Sequence, residues 1–153
     1  MNKPTRPFLL VEDDEGDVFI MKRVLKRAGI GNPLHVVTDG NMAIDYFSGT
    51  GEFSDRTKCP IPALVFLDLK LPFKGGFEVL KWIRSKAAFD RVLVVVLTSS
   101  SEERDKEDAL RLGAHSFLVK PPTVELIQDL LQAFESHWEK FDLGQAPCGG
   151  GPG

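Results

Sequence analysis

Short, nearly unbroken apolar runs alternate along this chain with longer stretches in which apolar residues return every three or four positions. FLLVED (8–13) is an apolar run closed by charge, which predicts a strand. In DEGDVFIMKRVLKRAG, which follows, Val18, Met21, Leu25 and Ala28 fall at helical spacing. Acids stand at its start, Lys22, Arg23, Lys26 and Arg27 lie toward its end, and Gly29 sits just past it, so period and charge order both predict a helix. The alternation then repeats. LHVVT (34–38) reads as a strand and DGNMAIDYFSG (39–49) as a helix. TGEFSDRTKCPIP (50–62) collects Gly, Ser, Asp and prolines and reads as a long loop. ALVFLD (63–68) is a strand ending in aspartate, and GGFEVLKWIRSK (75–86) a helix with Phe77, Leu80 and Ile83 on one side. VLVVVLT (92–98) is a strand, SEERDKEDALRLG (101–113) a polar helix ended by glycine, HSFLVK (115–120) a strand, and TVELIQDLLQAFESHWEKF (123–141) a long amphipathic helix.

The chain is therefore five repeats of strand then helix. Central strands that are apolar throughout are expected where helices cover both faces of a parallel sheet, so the fold class is α/β. Right-handed crossovers restrict the topology, and in such open sheets function gathers beyond the carboxyl ends of the strands.

Composition narrows the picture further. The 153 residues suit one domain, expected over 1–141, with DLGQAPCGGGPG (142–153) as a disordered Gly/Pro-rich tail. The chain is 42% hydrophobic and 27% charged, an ordinary globular balance, and its net charge of -3 gives no sign of a nucleic-acid or membrane partner. No apolar run approaches the ~20 residues that span a bilayer, and MNKPTRPF lacks a signal peptide's apolar stretch. Cys59 and Cys148 lie far apart, in a loop-like stretch and in the tail, which argues against a disulfide framework or a zinc site and favours a reducing cytoplasm.

The strand ends carry the chemistry. The first strand ends at Glu12 and Asp13, the third at Asp68, the fourth at Thr98 and the fifth at Lys120. If the first and third strands are neighbours, three carboxylates converge, repelling one another by roughly 3–4 kcal/mol per pair at ~4–5 Å and an effective dielectric near 20. A hard cation neutralises such a cluster. Oxygen ligands with open positions suit Mg²⁺, which keeps several waters and shares a phosphate readily. Lys120 and the Thr98 hydroxyl would then hold that phosphate's oxygens. Each residue alone has a plainer reading: an acid after a strand commonly caps the next helix, and Asp14 is a good N-cap. What argues for a site is that all these chemical types fall at the ends of four different strands.

LLVEDD, LVFLDLKLP, VVVLTSS and FLVKP resemble the four signature blocks of the receiver domain of bacterial two-component response regulators, over about residues 7–138. The resemblance implies a flavodoxin-like (βα)5 fold with a five-stranded parallel sheet in the order 2-1-3-4-5. It also implies roles. Asp68 would be the phosphoryl acceptor. Asp13 would ligate Mg²⁺, with Glu12 assisting and Lys70 contributing its backbone carbonyl. Thr98 and Lys120 would bind the phosphoryl group, Phe117 would be the switching aromatic coupled to Thr98, and Lys120–Pro121 would be a cis peptide. Lys70 and Ser100, each two positions past a signature residue, would influence water's access to the acyl phosphate, and the small Ser99 would leave the acceptor open.

The function so implied is that of a single-domain response regulator, phosphorylated on Asp68 by a sensor histidine kinase and signalling through protein–protein contact. It would not be an enzyme beyond its own phosphorylation and autodephosphorylation. A phosphorelay shuttle, passing the phosphoryl group to a histidine phosphotransfer protein, is the alternative. The loop 50–62, with GNPLHVV and DGNMAIDYFSG, is similar to those of small stand-alone regulators that partner bacterial phytochromes; a tolerated surface insertion explains it equally well. A phosphohydrolase is disfavoured because Leu69 and Lys70 break the DxDx[TV] motif, and a flavodoxin-like cofactor module because the loops are carboxylate-rich. His35, His115 and His137 show no ligand spacing and read as structural or solvated. Phe134, Trp138 and Phe141 extend the apolar stripe of the last helix, as core or as a homodimer surface through helix four, strand five and helix five.

Overall fold

Strands β1 (Phe8–Val11), β2 (Leu34–Val37), β3 (Leu64–Asp68), β4 (Leu93–Thr98) and β5 (Ser116–Val119) form one sheet in the order β2-β1-β3-β4-β5. Every neighbouring pair is parallel. The structure is a computed structural model that describes residues 6–99 and 103–135. Helices α1 (Glu15–Arg27), α2 (Gly40–Ser48), α3 (Gly76–Arg84), α4 (Glu103–Arg111) and α5 (Val124–Ala133) link and follow the strands. This is the flavodoxin-like order that the resemblance implied.

β1, β3 and β4 are buried along their whole length, which is why their sequences carry no polar alternation. The pleat still sorts their side chains. Leu9, Val11, Val65, Leu67, Val94 and Val96 pack with residues of α2, α3 and α4, among them Phe47, Leu80 and Ala109. Leu10, Phe66, Val95 and Leu97 pack with Met21, Leu25, Ile127 and Leu131 of α1 and α5. A slip of one residue would exchange the two faces, so packing fixes the register and with it the level at which each strand ends.

Three of the helix starts are capped by side chains. Asp14 accepts from the Asp17 N–H at 2.9 Å, Asp39 from Met42 N–H at 2.8 Å, and Thr123 from Leu126 N–H at 3.1 Å. Asp14 thus has the capping role that its position suggested.

Some boundaries differ from the sequence reading. β1 stops at Val11 and β5 at Val119, yet pairing runs one residue further: Glu12 N–H donates to the Val37 carbonyl at 3.0 Å, and Lys120 N–H to that of Thr98 at 2.8 Å. The third helix ends at Arg84, and a short 3-10 turn, Ala87–Phe89, follows. The loop 50–62 contains a second such turn, Gly51–Phe53, and is stapled to α2. Arg56 donates to the carbonyls of Tyr46 at 2.7 Å and Cys59 at 2.9 Å, and also to that of Phe47. Tyr46 and Phe47 belong to the last turn of α2, whose carbonyls need donors from outside the helix.

Two histidines have structural roles. His35 Nδ1 lies 2.7 Å from the Tyr46 hydroxyl, and His115 Nδ1 accepts the Val94 N–H at 3.2 Å. Phe134 is half-buried against the α1–α5 core, as the core reading of that stripe expects. Ser100, His137, Trp138, Phe141, Cys148 and the tail 142–153 lie outside the described residues, and so does the greater part of the proposed dimer stripe.

Candidate functional site

Val11 and Leu67 are opposite one another on adjacent strands, so the chain leaving β1 and the last residue of β3 arrive side by side. The three carboxylates expected to meet do meet: one oxygen from each of Glu12, Asp13 and Asp68 lies within 4.8 Å of the others. Glu12 is 1% and Asp68 4% exposed, whereas Asp13 faces solvent. Lys120, just past β5, closes the cluster. Its Nζ is 2.7 Å from Glu12 Oε1, 2.9 Å from Asp17 Oδ2 and 3.3 Å from Asp68 Oδ1. Backbone donors complete the shell. The Asp14 N–H reaches Glu12 Oε2 at 3.1 Å, and the Lys70 N–H reaches Asp68 Oδ1 at 3.3 Å. Lys120–Pro121 is cis. The cluster opens into a cleft of about 430 Å³, lined also by Asp14, Ile20, Lys70, Ser99 and Pro121.

Thr98 is buried at the end of β4, opposite Val119. Phe117 pairs with Val96, so Thr98 and Phe117 sit diagonally on the face of the sheet that α4 covers. Phe117 is half-buried, and the Lys106 ammonium of α4 lies 4.8 Å from its ring centroid, in cation–π range.

The electrostatics follow from burial more than from like charge. Loss of hydration pushes the Glu12 and Asp68 carboxyls above their ordinary range, and Lys120 partly offsets this. Burial alone would lower Lys120. Its hydrogen bonds to Glu12 and Asp17 and the charge of Asp68 outweigh that and hold it well above the usual lysine range, firmly an ammonium. The expected repulsion is therefore tempered by a cation that belongs to the chain itself.

Two contributors escaped the sequence reading. Asp17 was counted among the acids of the first turn, but it is the third leg under Lys120. The available signal was its place in the first turn of α1, where a side chain leans back toward the helix start. Gly76 is the other. A Cβ on it would stand 2.4 Å from the Asp68 carbonyl oxygen, so only glycine lets α3 begin against the end of β3.

The donor set fits a hard divalent cation. Mg²⁺ takes carboxylate oxygens at about 2.1 Å, and one oxygen from each of Glu12, Asp13 and Asp68, all within 4.8 Å of one another, could close on such an ion. Among the described residues no helix is long and apolar enough to cross a membrane.

Comparison with known proteins points the same way. The response regulator receiver domain model matches residues 8–132. The chain is 34% identical to the response regulator Rcp1 of Synechocystis sp. over 137 residues, 90% of this chain and 91% of Rcp1. It is similar to the solved bacteriophytochrome response regulator AtBRR, with 37% identity, a TM-score of 0.75, and coverage of 84% of this chain and 91% of that one. A manganese-bound form of Rcp1 superposes with a TM-score of 0.70 at 34% identity, over 88% of this chain and 95% of that one. Matched along most of its length by the family model and by these relatives, the chain belongs to the response regulator receiver domain family.

Proposed function

We propose that the chain is a response regulator whose receiver domain, over residues 1–141, takes a phosphoryl group from a phosphohistidine of a sensor histidine kinase onto Asp68. The observation that carries this reading is the buried Asp68 carboxylate at the head of β3, in contact with the Lys120 ammonium and beside Glu12 and Asp13. One Asp68 oxygen would attack phosphorus in line. A P–O bond forms as the P–N bond breaks to the donor imidazole, which carries a proton on its other nitrogen, leaving an aspartyl phosphate and a neutral histidine. The Lys70 N–H and Lys120 hold the other Asp68 oxygen and set the attack direction. Lys120 would exchange its contact with Asp68 for a phosphoryl oxygen, still anchored by Glu12 and Asp17, and the Thr98 hydroxyl would donate to another oxygen.

Glu12, Asp13, Asp68 and the Lys70 carbonyl would hold Mg²⁺, which when bound neutralises charge on the acceptor and the transferring group. That the similar Rcp1 has a manganese-bound form supports a divalent cation here. The likeness to the bacteriophytochrome response regulator AtBRR supports a bacterial phytochrome kinase as donor. Drawing Thr98 toward the phosphoryl group would vacate space for Phe117, and so alter the surface of α4, β5 and α5 that a target protein reads.

The test is labelling with acetyl phosphate and Mg²⁺, followed by mass spectrometry. One phosphoryl group is expected on Asp68, abolished in Asp68→Asn and by EDTA. Unchanged labelling of Asp68→Asn would overturn the assignment.

A further inference from the structure

Between β3 and α3 the chain makes a small closed loop, tied at its base where the Gly76 N–H donates to the Leu69 carbonyl at 3.1 Å. Its tip is a γ-turn. The Lys74 N–H donates to the Pro72 carbonyl at 2.8 Å around Phe73, whose φ is 65°. Among the described residues Phe73 is the single non-glycine residue with positive φ. A γ-turn of that hand is strained, and an aromatic residue suits it poorly where Gly or Asn would relieve it. The ring is also 83% exposed, more than any other large hydrophobic side chain among the described residues. Phe73 thus opposes both its local backbone and its hydration, and nothing in the core compensates.

The mount is stiff. A Cβ on Gly40 would stand 2.1 Å from the Lys74 carbonyl oxygen, so the start of α2 is pressed against this loop. Gly76 is pressed just as closely on the Asp68 carbonyl. Phe73 is therefore held out on the loop whose Lys70 lines the Asp68 cleft, and along the chain it stands between exposed Lys70 and half-buried Lys74.

We propose that the Phe73 ring is an anchor for the protein that delivers the phosphoryl group, seating in an apolar pocket of the donor whose rim carries carboxylates facing Lys70 and Lys74. This rests on the reading that Asp68 is phosphorylated by a protein donor. A protein bringing phosphohistidine to Asp68 must close over the cleft rim, whereas a small donor need not. An aromatic on a fixed backbone has only two side-chain torsions left to lose on docking, and flanking lysines give charge selection without burying a charge. Anchor and acceptor then share one rigid loop, so seating the ring registers the donor's histidine on Asp68.

The experiment compares two donors on Phe73→Gly, Phe73→Asn and Phe73→Tyr: acetyl phosphate, and bacterial phytochrome histidine kinases autophosphorylated with ATP. With kinase, kcat/KM should fall by about tenfold or more in the Gly and Asn variants, through KM, and return in the Tyr variant. With acetyl phosphate all variants should label Asp68 at the wild-type rate. Phe73→Gly should melt no lower than wild type, because the positive φ is then unstrained. A Phe73→Gly protein that takes phosphoryl from the kinase as fast as wild type overturns the proposal. So does an equal loss with both donors, which would make the ring a support of the site, or a wild-type dimer that dissociates in Phe73→Gly, which would make a second copy its occupant. If wild type labels with acetyl phosphate but accepts from none of the kinases, the protein-donor reading fails and the anchor falls with it. A failure of acetyl phosphate to label Asp68 indicts the acceptor assignment instead.

Discussion

Replacing Lys120 by Gln removes, among the described residues, the one cation in contact with Glu12, Asp17 and Asp68 together. Glu12 keeps only the Asp14 N–H at 3.1 Å, and Asp68 only the Lys70 N–H at 3.3 Å, among the hydrogen bonds described above. Breaking a fully buried ion pair by deleting one partner costs about 3–5 kcal/mol. Here Asp17 is 35% exposed and the cleft admits water, so a discounted cost of about 2–4 kcal/mol is expected in the metal-free protein. For a chain of this size that is a fall in Tm of roughly 6–15 °C.

The same geometry sets the response to metal. In the wild type a divalent cation has to share Glu12 and Asp68 with the Lys120 ammonium. In Lys120→Gln it meets carboxylates that nothing else neutralises. A cation at a hundred times its dissociation constant stabilises the fold by about 2.7 kcal/mol, and each tenfold gain in affinity adds about 1.4 kcal/mol. Lys120→Gln should therefore unfold well below wild type in EDTA and recover most of the gap in millimolar Mg²⁺. Urea unfolding followed by circular dichroism, with and without Mg²⁺, reads both effects. Lys70→Gln is the control: it removes the same charge from an exposed side chain and should change stability by less than about 0.5 kcal/mol. If Lys120→Gln melts with wild type in EDTA, or gains no more than wild type from Mg²⁺, Lys120 does not balance the carboxylates and the electrostatic account of the site is wrong.

Tyr46 is the only tyrosine in the chain, so absorbance near 295 nm follows it alone. Burial and the nearby Cys59 push its hydroxyl up to about 12, with Arg56 opposing. The unfolded chain releases that proton first, so stability is intact below pH ~10 and falls by roughly 2–3 kcal/mol as pH rises to about 12. Tyr46→Phe should lose that alkaline slope, and a Tyr46 titration midpoint near 10 in the folded protein would contradict the burial account. Gly40→Ala should drive a methyl into the Lys74 backbone, lowering stability by about 1–3 kcal/mol and slowing acetyl phosphate labelling, whereas Gly31→Ala, with nothing within 4 Å, should do neither. Equal urea midpoints for the two alanine variants would mean that α2 does not brace the acceptor loop.

What the sequence made legible, and what it did not, divides along physical lines. Strands β3 and β4 were readable because burial on both faces leaves an unbroken apolar run, and the chemistry was readable because such a run must end in something polar: Glu12, Asp68, Thr98 and Lys120 stand out against it. The strand order was not in the periodicity at all. Parallel runs of similar length carry no mark of their neighbours, and only the resemblance supplied 2-1-3-4-5. Interactions that close over long separations were equally silent. Asp17 and Lys120 are 103 positions apart, and the charge pattern of α1 gave Asp17 an ordinary place in a helix's first turn. Nothing in GGFEVLKWIRSK singles out Arg84, yet it donates to the carbonyls of Gly113 at 2.9 Å and Val92 at 2.8 Å, tying α3 to the turn before β5 and to the start of β4. Phe73 was illegible for the opposite reason, since every local preference argues against an aromatic at positive φ. Where local preference and fold agree, the sequence shows the scaffold. Asp17 lines the Asp68 cleft and Phe73 stands on the loop that carries Lys70 to it, so what the sequence left unexplained gathers near Asp68, as expected of a site kept for exchange with a partner rather than for the stability of the fold.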